Sequence, residues 1–216
     1  MSKELIKRIL SALILLPVSF FFIITGSNLF IYFILFILFL TLYEWHCLSF
    51  NKKYYIYGIV FIFLSFYTVY DLRIHGDYKI FLLIIIVCIS TDIGGYFFGK
   101  IIKGPKLTKI SPNKTYAGMI GSFVLSLLFS IFYIKNLDFF NISKTIDINY
   151  KIIYLILFIS LISQIGDLIV SFFKRKSKIE DTGIIIPGHG GILDRIDGII
   201  VAVPVGMILW EILLKI

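Results

Sequence analysis

The chain has 216 residues, of which 59% are hydrophobic, 17% aromatic and only 16% charged. A soluble domain has about a quarter of its residues charged, so this composition excludes an ordinary soluble enzyme and is typical of a protein embedded in lipid. The formal net charge is +8, but no basic stripe lies on a soluble element, so we expect anionic head groups and substrates as partners and no nucleic acid. The two cysteines, Cys47 and Cys88, lie far apart in apolar segments, which argues against a disulfide framework or a cysteine-bound metal.

Apolar segments of roughly the 20 residues that a helix needs to cross a bilayer follow one another along the chain. The sequence therefore predicts an all-α, polytopic integral membrane protein with about seven transmembrane helices. The predicted spans cover residues 9–25, 29–50, 54–70, 80–98, 116–134, 151–173 and 192–214. The basic residues 1–8 and the first span resemble a signal peptide in outline, but no small-residue cleavage site follows, so we expect the first span to be retained.

The distribution of Lys and Arg predicts the orientation. With a cytoplasmic N-terminus, segments 1–8, 51–53, 100–115 and 174–197 are cytoplasmic and carry three, two, five and five basic residues, together 15 of the 21. The positive-inside rule favours this arrangement. We divide the chain into N-terminal membrane spans at 1–78 and a catalytic membrane region at 79–216, whose loops 100–115 and 174–197 face the cytoplasm.

A polar segment at residues 163–198 lies between the last two spans, where its charge density is costly unless it has a function. Helical spacing places one set of polar side chains on a single face of the sixth span: Ser163, Asp167, Ser171 and Lys174. Asp194 and Asp197 are three residues apart and share a face at the start of the seventh span. Carboxylates on two helices suit Mg²⁺, and Arg195 is free to reach a phosphate. The turn Pro-Gly-His-Gly-Gly at 187–191 allows close approach of a ligand to the backbone, so the segment has the components of phosphoryl or nucleotidyl transfer.

Further polar residues lie in the earlier spans. Asp92 precedes Lys100 by eight residues and Asp167 precedes Lys174 by seven, which places both carboxylates about 10–12 Å below their loops. Because an isolated charge at that depth is expensive, we expect a water-accessible cavity open to the cytoplasm. The loop 100–115 has five lysines and no acid, which predicts a clamp for a phosphate or head group. Glu44, near the cytoplasmic end of the second span, either reaches this cavity or extends toward the interface.

Each feature also has a simpler explanation when taken alone. The Asp-Arg-x-Asp string at 194–197 matches an ordinary helix N-terminal charge pattern, and the run 174–176 matches positive-inside anchoring. His189 fits a solvated loop residue, and topology alone accounts for Lys103 and Lys109. The coincidence of the first three features within the 36 residues 163–198, between two spans, favours a functional site.

The string at 171–197, SFFKRKSKIEDTGIIIPGHGGILDRID, closely resembles the signature of the phosphatidate cytidylyltransferases, or CDP-diacylglycerol synthases. A second block, DIGGYFFGK at 92–100 followed by SPNKT at 111–115, is similar to the upstream motif of that family. The match departs at Glu180, where lysine is usual, and at Ala117, where glutamate is common.

The resemblance implies an Mg²⁺-dependent nucleotidyltransferase of phospholipid biosynthesis that converts CTP and phosphatidic acid into CDP-diacylglycerol and pyrophosphate. It implies that Asp167, Asp194 and Asp197 hold the Mg²⁺, and that the cationic side chains of Lys174, Arg175 and Arg195 bind phosphates during catalysis. It implies a substrate-binding set that consists of Asp92, Lys100, Lys106, Ser111, Lys114, Ser171, Asp181, His189, Gly190 and Gly191. It further implies a second, monovalent cation, a homodimer, and a multi-pass location in the bacterial inner membrane with the active site facing the cytoplasm.

Two other function classes remain open on the sequence. A CTP-dependent polyprenol or phytol kinase would use similar nucleotide chemistry. A transporter of an anionic metabolite would also contain buried aspartates and cytoplasmic lysines, although the sequence has none of the internal repeats that many transporters show.

Overall fold

The computed structural model describes residues 3–76, 78–108, 110–136, 148–186, 188 and 190–214. This part of the chain forms seven helices: α1 (Lys3–Thr25), α2 (Ser27–Ser49), α3 (Tyr55–Ile74), α4 (Tyr78–Ile102), α5 (Tyr116–Lys135), α6 (Tyr150–Lys176) and α7 (Leu193–Leu214). Two isolated β-bridges are the only extended pairings among these residues. The all-α prediction is therefore confirmed.

Six described helices, α2 to α7, are long and apolar enough to cross a membrane, which supports the multi-pass prediction. The apolar part of α1, Leu13–Thr25, is shorter than these six, so a seventh span stays a prediction. The third predicted span ends at residue 70, whereas α3 continues to Ile74. The polar residues that follow Tyr70 do not end the helix, because Leu72 packs into the core with 4% exposure and such packing outweighs local polarity.

The described chain forms two compact units, residues 1–76 with 172–197 and residues 77–171 with 198–216. The predicted division into N-terminal spans at 1–78 and a catalytic region at 79–216 concerns function, and it stays a prediction.

In the first unit, the side chain of Arg73 in α3 donates hydrogen bonds to carbonyl groups in the last turn of α1. Its Nε donates to the carbonyl of Ile23 at 2.6 Å and its Nη2 to that of Ile24 at 3.1 Å. The last carbonyls of a helix lack intrahelical partners, and a cation there also opposes the negative end of the helix dipole. The chain then turns at Gly26, whose φ of +65° suits glycine. One side chain thus fixes where α1 ends and α2 begins.

Trp45, near the C-terminal end of α2, contacts both α3 and the end of α6. Its indole Nε1 donates to the carbonyl of Tyr55 at 3.0 Å, and its ring lies edge-on to Phe173 with centroids 5.3 Å apart. The hydroxyl of Ser177 donates to the carbonyl of Leu48 at 2.8 Å. These contacts attach the end of α6 to α2 and α3, so the segment that follows α6 starts from a fixed place.

In the second unit, small residues allow α4 and α5 to pack backbone against backbone. A Cβ added at Gly94 would lie 2.5 Å from the carbonyl oxygen of Gly121, and one added at Gly118 would lie 2.6 Å from that of Gly95. The hydroxyl of Ser122 donates to the carbonyl of Thr91 at 2.7 Å across the same interface. Close approach of this kind is the usual basis of helix association in lipid.

We expect Gly94→Ala to lower the free energy of unfolding by about 1–3 kcal/mol, because the new methyl meets backbone atoms that cannot move independently. The matched control is Gly99→Ala in the same helix, where the nearest atom to the new Cβ is a side-chain oxygen of Thr115 at 3.2 Å. Alanine favours a helix over glycine by about 1 kcal/mol, so the control should match or exceed the wild type. Thermal unfolding in detergent micelles measures both, and equal midpoints for the two variants would refute this account of the interface.

Candidate functional site

The segment between α6 and α7 folds back on itself in the first unit. The N–H of Ile179 donates to the carbonyl of Lys174 at 3.1 Å and ends α6. Farther along, the N–H of Ile186 donates to the carbonyl of Gly190 at 2.9 Å and closes the predicted glycine-rich turn. Gly188 and Gly190 have φ of +77° and +84°, which glycine adopts without strain. Pro187 and His189 of this turn, and the predicted role of His189, lie outside the described residues.

Asp194, the second residue of α7, accepts hydrogen bonds at both oxygens of its carboxylate. Its Oδ1 accepts from Lys174 Nζ at 2.7 Å. Its Oδ2 faces the N–H of Thr182 at 2.8 Å, the hydroxyl of Thr182 at 3.0 Å and the N–H of Gly191 at 3.1 Å. The side chains of Asp194 and Lys174 are 5% and 14% exposed. These donors fix the orientation of the buried Asp194 carboxylate. The carboxylate in turn holds the largely desolvated ammonium group of Lys174 beside it.

Glu44 of α2 reaches the same place and is buried there, whereas the predicted water-accessible cavity stays a prediction. Its carboxylate accepts from the N–H groups of Ile192 and Leu193 at 2.9 and 2.8 Å. The hydroxyl of Thr182 lies 3.1 Å from its second oxygen. The glycine at 191 leaves the room that this requires, because a Cβ there would collide with Thr182 and Glu44. Glycine at this position thus serves the packing of the protein's own side chains.

Two of these residues were not in the predicted site. Thr182 has no spacing that distinguishes it from other loop threonines, and its role depends on contacts with residues 12 and 138 positions away. Glu44 carried one usable signal, since it is a carboxylate within an apolar helix.

In the second unit, Asp167 of α6 pairs with Lys114 from the lysine-rich loop. Lys114 Nζ lies 2.5 Å from Asp167 Oδ2, and the hydroxyl of Ser171 donates to Oδ1 at 3.3 Å. The loop is held in a hairpin-like shape because the N–H of Leu107 donates to the carbonyl of Lys114 at 2.8 Å. The structure thus brings together Lys114, Asp167 and Ser171, three residues that the sequence predicted for the site.

The remaining predicted residues lie mainly at exposed positions. In the second unit Asp92, Lys100 and Lys106 are exposed and Ser111 is half-buried. Lys100 Nζ lies 3.2 Å from the hydroxyl of Tyr96. In the first unit Arg175, Arg195 and Asp181 are exposed, whereas Asp197 is buried. Their roles in binding or catalysis stay predictions.

No group of three or more His, Cys, Asp or Glu side chains that could hold a metal ion occurs within the described ranges. Asp194 and Asp167 have hard oxygen donors, and each is paired with a lysine. Mg²⁺ is commonly held by one or two carboxylates together with substrate phosphates, so the donor chemistry of each of these carboxylates, taken within its own unit, fits an ion shared with a phosphate ligand.

Residues 54–213 match the model of a family described as the cytidylyltransferase family. A protein of Rickettsia felis named phosphatidate cytidylyltransferase is 35% identical over 204 residues, which cover 92% of this chain and 88% of that one. Proteins of the same name from Staphylococcus aureus and Staphylococcus saprophyticus are 38% and 35% identical over 148 residues, which cover 68% of this chain and 54% of theirs. The chain therefore spans about half the length of the staphylococcal relatives that it matches.

We expect Lys174→Met to lower the free energy of unfolding by about 3 kcal/mol, because it leaves the buried carboxylate of Asp194 without its counter-ion. Adding Asp194→Asn to that variant should recover part of the loss, since it removes the uncompensated charge. Lys176→Met is the control at the same end of α6, where the ammonium group is exposed and lies over the ring of Tyr54. Thermal unfolding in detergent tests this, and equal losses in the two single variants would contradict it.

Proposed function

This chain belongs to the cytidylyltransferase family, and from that premise we propose that it converts CTP and phosphatidic acid into CDP-diacylglycerol and pyrophosphate. In this reaction a phosphate oxygen of phosphatidate attacks the α-phosphorus of CTP. The bond between that phosphorus and the oxygen bridging to the β-phosphorus breaks, and pyrophosphate leaves with the bonding electrons. The attacking oxygen is already anionic near neutral pH, so the enzyme needs no strong general base.

The Lys174–Asp194 pair is the observation that carries the proposal. It lies in the string 171–197, whose resemblance to the signature of phosphatidate cytidylyltransferases agrees with the names of the relatives. An ammonium group held by a buried carboxylate has already lost most of its water and side-chain freedom. It can therefore transfer its interaction to an entering phosphate at low entropic cost. Catalysis in this proposal consists of positioning and charge neutralisation.

The cations of the chain have the following proposed parts. Lys174, Arg175 and Arg195 bind the phosphates of CTP and neutralise charge as pyrophosphate departs. Lys100 and Lys106, which are exposed in the loop 100–115, and Lys114, which is paired with Asp167, bind substrate phosphates, including the head group of the lipid. The arginines can form bidentate contacts with phosphate oxygens, whereas each lysine acts as a point charge.

We propose that CTP binds together with Mg²⁺. Asp167, Asp194 and Asp197 would supply its carboxylate ligands, with substrate phosphates completing the coordination. Bound there, the ion would neutralise negative charge on the triphosphate. The family resemblance extends the proposal to a second, monovalent cation.

The setting of the reaction is proposed from the charge distribution and the relatives. With 15 of 21 Lys and Arg residues on one side, the N-terminus and the loops 100–115 and 174–197 face the cytoplasm, where CTP is available. We place the protein in the bacterial inner membrane with α1 as its seventh span, in a homodimer.

Membranes that contain the protein should convert labelled CTP into a lipid-soluble product only when phosphatidate and Mg²⁺ are both supplied. The product should be identified as CDP-diacylglycerol, with stoichiometric release of pyrophosphate. Incorporation that requires a prenol would replace this proposal with a kinase. Counterflow of label across vesicles without any chemical product would replace it with a transporter.

We further expect Asp194→Asn and Asp197→Asn to reduce turnover by about 100-fold or more, because each removes a carboxylate proposed to hold the Mg²⁺ that accompanies CTP. Both variants should still insert into membranes. Asp71→Asn is the control, since this carboxylate of α3 is paired with His75 and has no proposed part in the reaction. Rates equal to that of the control in both variants would remove the two aspartates from the proposed site.

A further inference from the structure

Glu44 is a glutamate with 1% exposure inside α2, a helix long and apolar enough to span a membrane. A carboxylate in such surroundings is costly unless it is neutralised or hydrogen-bonded. The ion pairs among the described residues do not include Glu44. Its compensation comes from three neutral donors, namely the N–H groups of Ile192 and Leu193 and the hydroxyl of Thr182.

The two N–H groups belong to Ile192 and Leu193, at the start of α7. The carbonyl of Ile192 accepts from the N–H groups of Arg195 at 2.9 Å and Ile196 at 3.2 Å, so Ile192 occupies the N-cap position. Isoleucine is among the poorest residues there because its side chain has no acceptor. Glu44 supplies the missing acceptor from another helix, and the positive end of the α7 dipole stabilises its charge.

Glu44 also acts on the loop that holds Asp194. The hydroxyl of Thr182 lies 3.1 Å from Glu44 and 3.0 Å from Asp194. With one proton, it donates to only one of them at a time. The N–H of Thr182 donates to Asp194 regardless of that choice. Glu44 therefore contacts both parts of the frame around Asp194, namely Thr182 and the start of α7.

We propose that Glu44 is a positioning residue for the transfer reaction: by capping α7 and holding Thr182, it fixes the orientation of Asp194. It does not touch the reacting atoms. The inference rests on the proposed function, because it assigns to Asp194 a part in cytidylyl transfer. Gly183 and Gly191 support it, since a Cβ at either position would meet the Glu44 carboxylate at 2.7 and 2.5 Å.

The first arm of the test measures the contact without any substrate. Hydrogen–deuterium exchange of the full chain in nanodiscs, read by mass spectrometry, should show slow exchange in peptides that contain the amides of residues 191–195. Glu44→Gln is nearly isosteric but turns an amide N–H₂ toward one of the donors. It should accelerate exchange in these peptides, whereas the matched carboxylate-to-amide change Asp71→Asn should not.

The second arm measures kinetics on folded, monodisperse protein. Relative to Asp71→Asn, Glu44→Gln should lower kcat by about 10- to 100-fold, as loss of a supporting contact commonly does. The KM for CTP should change by less than about 3-fold, because the phosphate-binding cations are intact. A merely structural role would reduce the yield of folded protein and leave both constants of the folded fraction unchanged.

Thr182→Val removes the shared hydroxyl with little change in volume and completes a double-mutant cycle. Because both changes act on Asp194, the double variant should lose less than the product of the single losses in kcat. Unchanged exchange in Glu44→Gln would overturn the capping contact, and faster exchange with unchanged kcat would overturn the positioning role. An inactive wild type would overturn the proposed function and with it the assignment of Asp194, while the exchange arm would still decide whether Glu44 holds α7.

Discussion

Two buried carboxylates, those of Glu44 and Asp194, face a single hydroxyl group, that of Thr182, in the first unit. Each carboxylate must find enough donors to offset its removal from water. Together they take the N–H groups of residues 182, 191, 192 and 193, and Lys174 completes the set. The conformation of the segment after α6 follows from this requirement, because moving any one of these donors would leave a buried charge under-bonded.

The same requirement explains the glycines of the segment. From the sequence, the turn at 187–191 was interpreted as a place where a ligand approaches the backbone. The structure gives Gly191 a different partner, since the space beside it is taken by Thr182 and Glu44. In this chain the space beside Gly191 is filled by the protein's own side chains, and the ligand-binding role of the turn stays a prediction.

Hydropathy predicted the helices well, because a long apolar run in lipid has few alternatives to a helix. The end of α3 was placed too early, since polarity at residues 71–73 was taken as a break although Arg73 binds the end of α1. Helical spacing and charge identified Asp167, Lys174 and Asp194, and the structure gives each a charged partner. The contacts of Glu44 with Thr182 and with the start of α7 were beyond the sequence, because they join positions 138 to 149 residues apart and no local pattern encodes such a pairing.

The separation between Glu44 and its donors also bears on how the chain is made. Thr182 leaves the ribosome 138 residues after Glu44, which at a synthesis rate of about 5–20 residues per second is a delay of roughly 7–30 s. Throughout that interval α2 carries a carboxylate whose final partners do not yet exist. Until the start of α7 arrives, this carboxylate must remain in contact with water or a substitute donor. The insertion machinery of the cell therefore has to tolerate a polar group in α2 whose hydrogen-bond donors are synthesised 138 to 149 residues later.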